Sequence, residues 1–199
     1  MKTATRRWVV IVTGALAIAF AAGGGEFNGA LAQPAIRTPD VHFEPTPQHV
    51  VEEMVKLARV GPNDVVYDLG CGDGRIVIAA VLQRGARGVC VDIDPQRIME
   101  SRANAQRSNA ISRIRFLNQD LFDTDIGDAT VVMLFLSPSL NLKLRPKLWR
   151  DLKPGVRVVS YVHDMAEWTP KETRDVMGNF GPRKVFLWVV PEPVVRGAK

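Results

Sequence analysis

The chain has 199 residues, enough for one domain with a tail, and its hydrophobic fraction of 46% is ordinary for a globular protein. The formal net charge is +5, but Lys2, Arg6, Arg7 and Glu26 all lie in the first 32 residues, so the remainder of the chain is two charges less basic. That mild balance neither demands nor excludes nucleic acid, and two cysteines without ligand spacing exclude a disulfide-built scaffold and a zinc site.

Lys2, Arg6 and Arg7 precede an apolar run over residues 8–22. A basic segment followed by about fifteen apolar residues fits a secretory signal. The run is short for a transmembrane helix, which needs roughly 20 residues. Ala30-Leu31-Ala32 supplies a small-x-small cleavage pattern before Gln33. Arg6-Arg7 loosely matches a twin-arginine signal. Residues 1–32 therefore read as a signal peptide or an N-terminal membrane anchor. The protein is expected to be exported to the periplasm, or held at a membrane by residues 8–22. Residues 33–45 are proline-spaced and read as an extended linker, 46–191 as the folded domain, and 192–199 as a tail.

Thr46-Pro47 opens a helix, with Thr46 as N-cap and Pro47 at the first helical position. Val50, Val51, Met54, Val55, Leu57 and Ala58 form its apolar face, and Gly61-Pro62 stops it. Val65 to Leu69 is a short apolar strand ending in an acid and a glycine. Gly70, Gly72 and Gly74 then alternate, so the backbone can take left-handed dihedrals and a ligand can approach with no Cβ in the way. After Gly74 the residues Ile76, Val77, Ala79 and Ala80 fit one face of a helix. A strand, a bare loop and a helix N-terminus together make a cofactor cradle.

The spacing is not that of the dinucleotide fingerprint, whose last glycine would fall at position 75, where this chain has Arg. It is D-x-G-x-G-x-G, with Asp68 two residues before the first glycine. A carboxylate sits poorly beside a pyrophosphate and suits a cationic ligand, such as one carrying an ammonium and a sulfonium. Gly88 to Asp92 is a second buried strand ending in acids. Asp92 lies at about the distance beyond the glycine loop expected of a ribose-binding acid. Cys71 and Cys90 read as small buried residues, with a reactive or bridging thiol as the alternative.

Pro95 starts a helix running to about Asn109, with Arg97, Arg102 and Arg107 on a solvated face. No aromatics interleave with them, which argues against a nucleic-acid stripe. Ile114 to Asn118 is the third strand, followed by Asp120. Asp123, Asp125 and Asp128 lack the glycine and glutamate of a calcium loop, so no metal site is expected. Ala129 to Leu136 is the central fourth strand. It exits into Ser137-Pro138-Ser139-Leu140-Asn141, a loop placed to face a ligand. Leu140 to Leu152 forms a helix with Leu142, Leu144, Leu148 and Leu152 apolar. Val156 to Val162 is the fifth strand and exits into His163-Asp164. His163 is a candidate general base. Residues 172–177 and 184–190 form a hairpin through Gly178-Asn179-Phe180-Gly181-Pro182.

The glycine loop and the Val91-Asp92-Ile93-Asp94-Pro95 run resemble class I S-adenosylmethionine-dependent methyltransferases over about residues 45–190. The resemblance implies an α/β, Rossmann-like fold: a mostly parallel central sheet, helices on both faces, and an antiparallel C-terminal strand. It implies S-adenosylmethionine as cofactor, with Asp68 near the methionine amino group, Gly70 and Gly72 lining the cofactor, and Asp92 on the ribose. It implies Asp120 on the adenine amino group, and Thr46 as a contact at the methionine end if it is not simply a cap. The Pro45-Thr46-Pro47 triplet, the 60–75 block and the Leu187-Trp188-Val189-Val190-Pro191 ending resemble the small group related to mitochondrial protein-lysine methyltransferases of the ATP synthase c-subunit and adenine nucleotide translocase. That implies an amine acceptor such as protein lysine. A small-molecule acceptor and a non-catalytic cofactor-binding module are the alternatives. The Ser137-Pro138-Ser139-Leu140 run lacks the amide or acid and the aromatic of base-gripping enzymes, which argues against a nucleic-acid acceptor. Ser137, Asn141 and His163 are the candidates for catalysis.

Overall fold

The computed structural model describes residues 38–192, all within one compact unit. Residues 1–37 and 193–199, and with them the signal or anchor segment and most of the tail, lie outside the described residues.

Chain order is α1 (Gln48–Leu57), β1 (Val65–Leu69), α2 (Arg75–Arg84), β2 (Arg87–Asp92), α3 (Pro95–Arg107), β3 (Ile114–Asn118), β4 (Val131–Leu134), α4 (Pro138–Asp151), β5 (Arg157–Tyr161), β6 (Glu172–Gly178) and β7 (Gly181–Val189). The seven strands form one sheet in the order β3-β2-β1-β4-β5-β7-β6. All neighbours are parallel except β7, which runs antiparallel to β5 and β6. This is the Rossmann-like sheet that the alternation of strands and helices demands.

Alternate residues of each strand feed opposite faces. On one face Val66, Val131, Met133 and Val159 meet the apolar stripe of α1, which includes Val50, Met54 and Val55, and Ile76 and Ala80 of α2. α3 packs beside them through Ile98 and Ala105 against Val77 and Phe116. On the other face Tyr67, Leu69, Val132, Leu134 and Trp188 pack on Leu140, Leu144 and Leu148 of α4. β1 is buried along its whole length, as a central strand covered on both sides must be.

Several boundaries differ from the sequence expectation. α1 begins after Pro47, which occupies the N-cap position without a side-chain cap. Thr46 is buried instead, and its carbonyl accepts from Arg75 Nη1 at 2.8 Å. Arg75 thus anchors the residue that was expected to cap the helix. Leu142 is 42% exposed, whereas Asn141 and Lys147 are buried on α4. The helix is rotated so that Leu140, Leu144 and Leu148 take the core stripe. Arg102 and Arg107 of α3 are exposed, as expected of a solvated face, and Arg97 is half-buried. Arg97 lies over the Phe43 ring at 4.9 Å, and Arg102 lies over Phe116 at 4.8 Å. The hairpin strands are longer than expected and close on a two-residue turn, Asn179-Phe180, because Gly178 pairs with Gly181.

Candidate cofactor and methyl-transfer site

The order of the sheet reverses between β1 and β4, and ligands bind beyond the carboxyl ends of strands at such a point. A cavity of about 340 Å³ opens there. Its walls include Gly70 and Cys71 after β1, Asp92 at the end of β2, Asp120 after β3, and Phe135 and Leu136 after β4. The segment Thr38–Glu44 and Thr46 wall the same cavity. The part of the expected linker that is described is therefore a strap along the pocket.

The glycine loop is bare for a reason. Gly70 and Gly72 have φ of 84° and 55°, in the left-handed region. A Cβ on Gly70 would come within 2.7 Å of Leu136 Cδ2, and one on Gly72 within 2.3 Å of the Phe43 ring. The loop hangs from β2: Gly70 N and Cys71 N donate to Val91 O at 2.8 and 3.0 Å. Gly72 N donates to Asp92 Oδ2 at 2.9 Å.

Asp68 is 1% exposed, and its Oδ2 has no hydrogen-bond partner. Burial pushes its carboxyl well above the ordinary range, and the neighbouring charges of Asp92 and Asp73 push the same way. Burial also raises Asp92, partly offset by backbone N–H groups: Asp94 N donates to Oδ1 at 3.0 Å and Gly72 N to Oδ2. Each oxygen of a carboxylate has two lone pairs, so Asp92 keeps acceptor capacity for further donors. Asp73 is held by Arg75 through Nε at 2.9 Å and Nη2 at 2.5 Å. Asp73, paired to Arg75, and Asp92 line the cavity, whereas Asp68 is buried near both and is not part of its wall; its orphaned oxygen is the group a cationic ligand would satisfy. Asp120 accepts from Phe122 N at 2.9 Å, which fixes its carboxylate at the cavity wall.

The three catalytic candidates share one neighbourhood but differ in occupation. Ser137 caps α4, accepting from Leu140 N at 3.3 Å. Asn141 is fully buried, and its Nδ2 donates to Ser160 Oγ at 3.1 Å and to His163 O at 3.0 Å. Ser160 Oγ also donates to His163 O, at 2.7 Å. The backbone at His163 is therefore clamped. It follows Val162, whose φ of 70° is unusual for a β-branched residue. The His163 ring is half-buried. Burial lowers its pKa, Arg183 lowers it further, and Asp164 and Glu44 raise it. On balance its pKa lies below the ordinary histidine value, with burial the largest cause.

Sequence reasoning missed one feature of the site and held another only as its alternative. Phe43 and Arg97 form its outer edge, but Phe43 lies in a proline-spaced stretch with no periodicity to mark it. The cysteines are buried, and they are joined as a disulfide, Cα to Cα 5.3 Å. Nineteen positions separate them, and only the return of β2 beside β1 brings them together.

This sheet, with an acid-lined pocket over a glycine loop, defines a class I S-adenosylmethionine-dependent methyltransferase. A family model described as the ANTKMT methyltransferase domain matches residues 68–172, and the chain belongs to that family. A protein-lysine N-methyltransferase of Saccharolobus islandicus is 41% identical over 155 residues, covering 77% of this chain and 96% of the relative. The human lysine N-methyltransferase of the ATP synthase c-subunit is 33% identical over 69% of this chain and 58% of its own length. Among solved structures, an RNA methyltransferase from Salinibacter ruber in complex with S-adenosyl-L-homocysteine superposes with a TM-score of 0.73. It is 46% identical, and the match covers 78% of this chain and 99% of that one. The protein is an enzyme, and its cofactor is S-adenosylmethionine.

Proposed function

We propose that this protein transfers a methyl group from S-adenosylmethionine to lysine side chains of a protein, and that it works outside the cytosol or at a membrane face. The cofactor reading rests on the orphaned, buried oxygen of Asp68, which an ammonium group satisfies. The lysine reading is supported by the two relatives named as lysine methyltransferases.

In this reading Asp68 takes the methionine ammonium and Asp92 the ribose hydroxyls. Asp120 accepts from the adenine amino group. Gly70 and Gly72 let the backbone approach, and Thr46 closes the methionine end. The cofactor supplies a methyl group made electrophilic by its sulfonium. Phe135, Leu136 and Leu140 form the apolar wall beside the β4 exit and exclude water there. An amine attacks in line only after losing its proton, and desolvation in that wall favours the neutral amine. His163 accepts that proton. Asn141 and Ser160 hold the backbone that presents its ring, and Ser137 fixes the start of α4 beside it.

The relative described as an RNA methyltransferase raises the rival acceptor. Against it, no aromatics interleave with Arg97, Arg102 and Arg107 along α3 as they do in a nucleic-acid stripe. The Ser137-Pro138-Ser139-Leu140 run after β4 also lacks the amide or acid followed by an aromatic that grips a base.

Export or anchoring is supported by the basic and apolar pattern of residues 1–32. Among the described residues no helix is long and apolar enough to cross a membrane. Labelling membrane and periplasmic extracts with tritiated-methyl cofactor tests the acceptor. Protease-sensitive label recovered as methyllysine is the expected result. Label in RNA or in the small-molecule fraction would overturn the lysine reading. A fusion to a reporter active only outside the cytosol tests the location, and a silent fusion would sink that part.

A further inference from the structure

The bridge between Cys71 and Cys90 lies inside the cofactor pocket's wall, not on a distant surface. Cys71 sits between the two glycines of the loop and lines the cavity. Cys90 is the β2 partner of Asp68 in the sheet register, two residues before Asp92. Both are buried, at 5% and 0% exposure. The backbone N–H groups of Gly70, Cys71 and Gly72 all donate to Val91 and Asp92, and Asp73 O accepts from Asn104 Nδ2 at 2.7 Å. The disulfide therefore adds a covalent tie to a set of hydrogen bonds that already joins the loop to the end of β2.

We propose that the Cys71–Cys90 pair is a redox-controlled latch on S-adenosylmethionine binding. Oxidised, it fixes the glycine loop after β1 against the end of β2, so the bare loop and the Asp92 carboxylate that Gly72 N holds are presented together. Reduced, the loop hangs on hydrogen bonds alone and samples positions that release the Asp92 carboxylate from Gly72 N, which weakens binding. The latch closes by thiol–disulfide exchange with a protein disulfide donor that reaches Cys71 while the reduced loop is displaced from the end of β2. One cysteine thiolate attacks a donor sulfur and forms a mixed disulfide. The second thiolate displaces the donor thiolate, so two protons and two electrons leave the pair and the donor is reduced. A reducing dithiol reverses the sequence. Bridges of this kind persist in oxidising compartments, where the N-terminal segment would deliver the chain. Cys71 faces the pocket, so bound cofactor shields it. By linkage, what strengthens cofactor binding in the oxidised state also stabilises the bridge when cofactor is bound.

The test uses the full chain recovered from an oxidising compartment. Alkylation of the denatured protein is expected to modify no cysteine before reduction and two after it. S-adenosylhomocysteine titrated into oxidised and reduced wild-type protein is expected to bind several-fold more weakly in the reduced state. The double variant C71A/C90A is expected to match the reduced protein and to ignore reductant. Two free thiols in the recovered protein, or equal affinity in the two redox states, would overturn the latch. Methyl transfer to protein lysine is assayed on the reduced protein in parallel. Transfer without redox dependence removes the latch and leaves the acceptor reading standing. Redox-dependent binding without lysine transfer does the reverse.

Discussion

Asp68 sets the chemistry of the pocket because its cost is unrelieved in the protein alone. A buried carboxylate with an orphaned oxygen and two acidic neighbours favours its protonated form. The pH consequences have opposite signs for folding and for binding. In the ligand-free protein the folded-state pKa is raised above the unfolded value. Its contribution to stability is therefore full below the unfolded value and is lost as pH rises through the folded one. A cationic ligand prefers the ionised form, so its affinity rises with pH through the same range, and binding releases a proton. Calorimetry in two buffers of different ionisation enthalpy should detect that proton. Asp68→Asn keeps the shape and removes the charge. It should cost about 2–3 kcal/mol of cofactor affinity and abolish the proton release. His163 is a second case in which environment sets the role. Burial lowers its pKa, so the base form persists below the usual histidine range. His163→Asn should lower kcat while leaving cofactor affinity unchanged, and steady-state kinetics paired with cofactor titration separates the two. The place of Asp92 and Asp120 at the cavity wall was legible in the order of strands and in the family resemblance. Phe43 was not, because a lone aromatic in a proline-spaced stretch has no pattern to mark it.

Two elements convert these residues into a site: the glycine loop and the exit of β5. The loop tolerates no side chain at Gly72, where φ is left-handed and the Phe43 ring occupies the space of a Cβ. Gly72→Ala should destabilise the fold by about 1–2 kcal/mol from backbone strain. It should also displace the strap, visible as faster proteolysis near residue 43. At the exit of β5, Asn141 reaches from α4 to hold Ser160 and His163. Asn141→Leu leaves those buried acceptors short of a donor, and about 1–3 kcal/mol of stability should be lost in urea denaturation. The helix start at Thr46 shows why local signals mislead. Threonine before proline is a sound capping pattern, but the Arg75 guanidinium takes the Thr46 carbonyl, and the helix starts at Gln48. The contact spans 29 positions, so no window of local sequence contains it.

At the scale of the molecule, the strand order follows from the alternation of apolar runs and helical stripes, and the antiparallel end from the C-terminal hairpin. What the pattern could not carry was the meeting of distant parts, such as Cys71 with Cys90 and the strap with the glycine loop. The pocket is assembled from the ends of four strands and from that strap, so none of it exists in the unfolded chain. A ligand that binds only the native state then stabilises the whole domain by mass action. S-adenosylhomocysteine at 100 times its dissociation constant should add about 2.7 kcal/mol. The urea midpoint should rise while the slope of the transition stays constant, since the surface exposed on unfolding barely changes. In Asp68→Asn the same ligand concentration should shift the midpoint far less, although the ligand-free variant should be at least as stable as wild type near neutral pH. That combination, a variant that is more stable alone and less stabilised by ligand, separates a carboxylate kept for binding from one kept for folding. Equal ligand-induced shifts in wild type and variant would place the cation elsewhere than at Asp68.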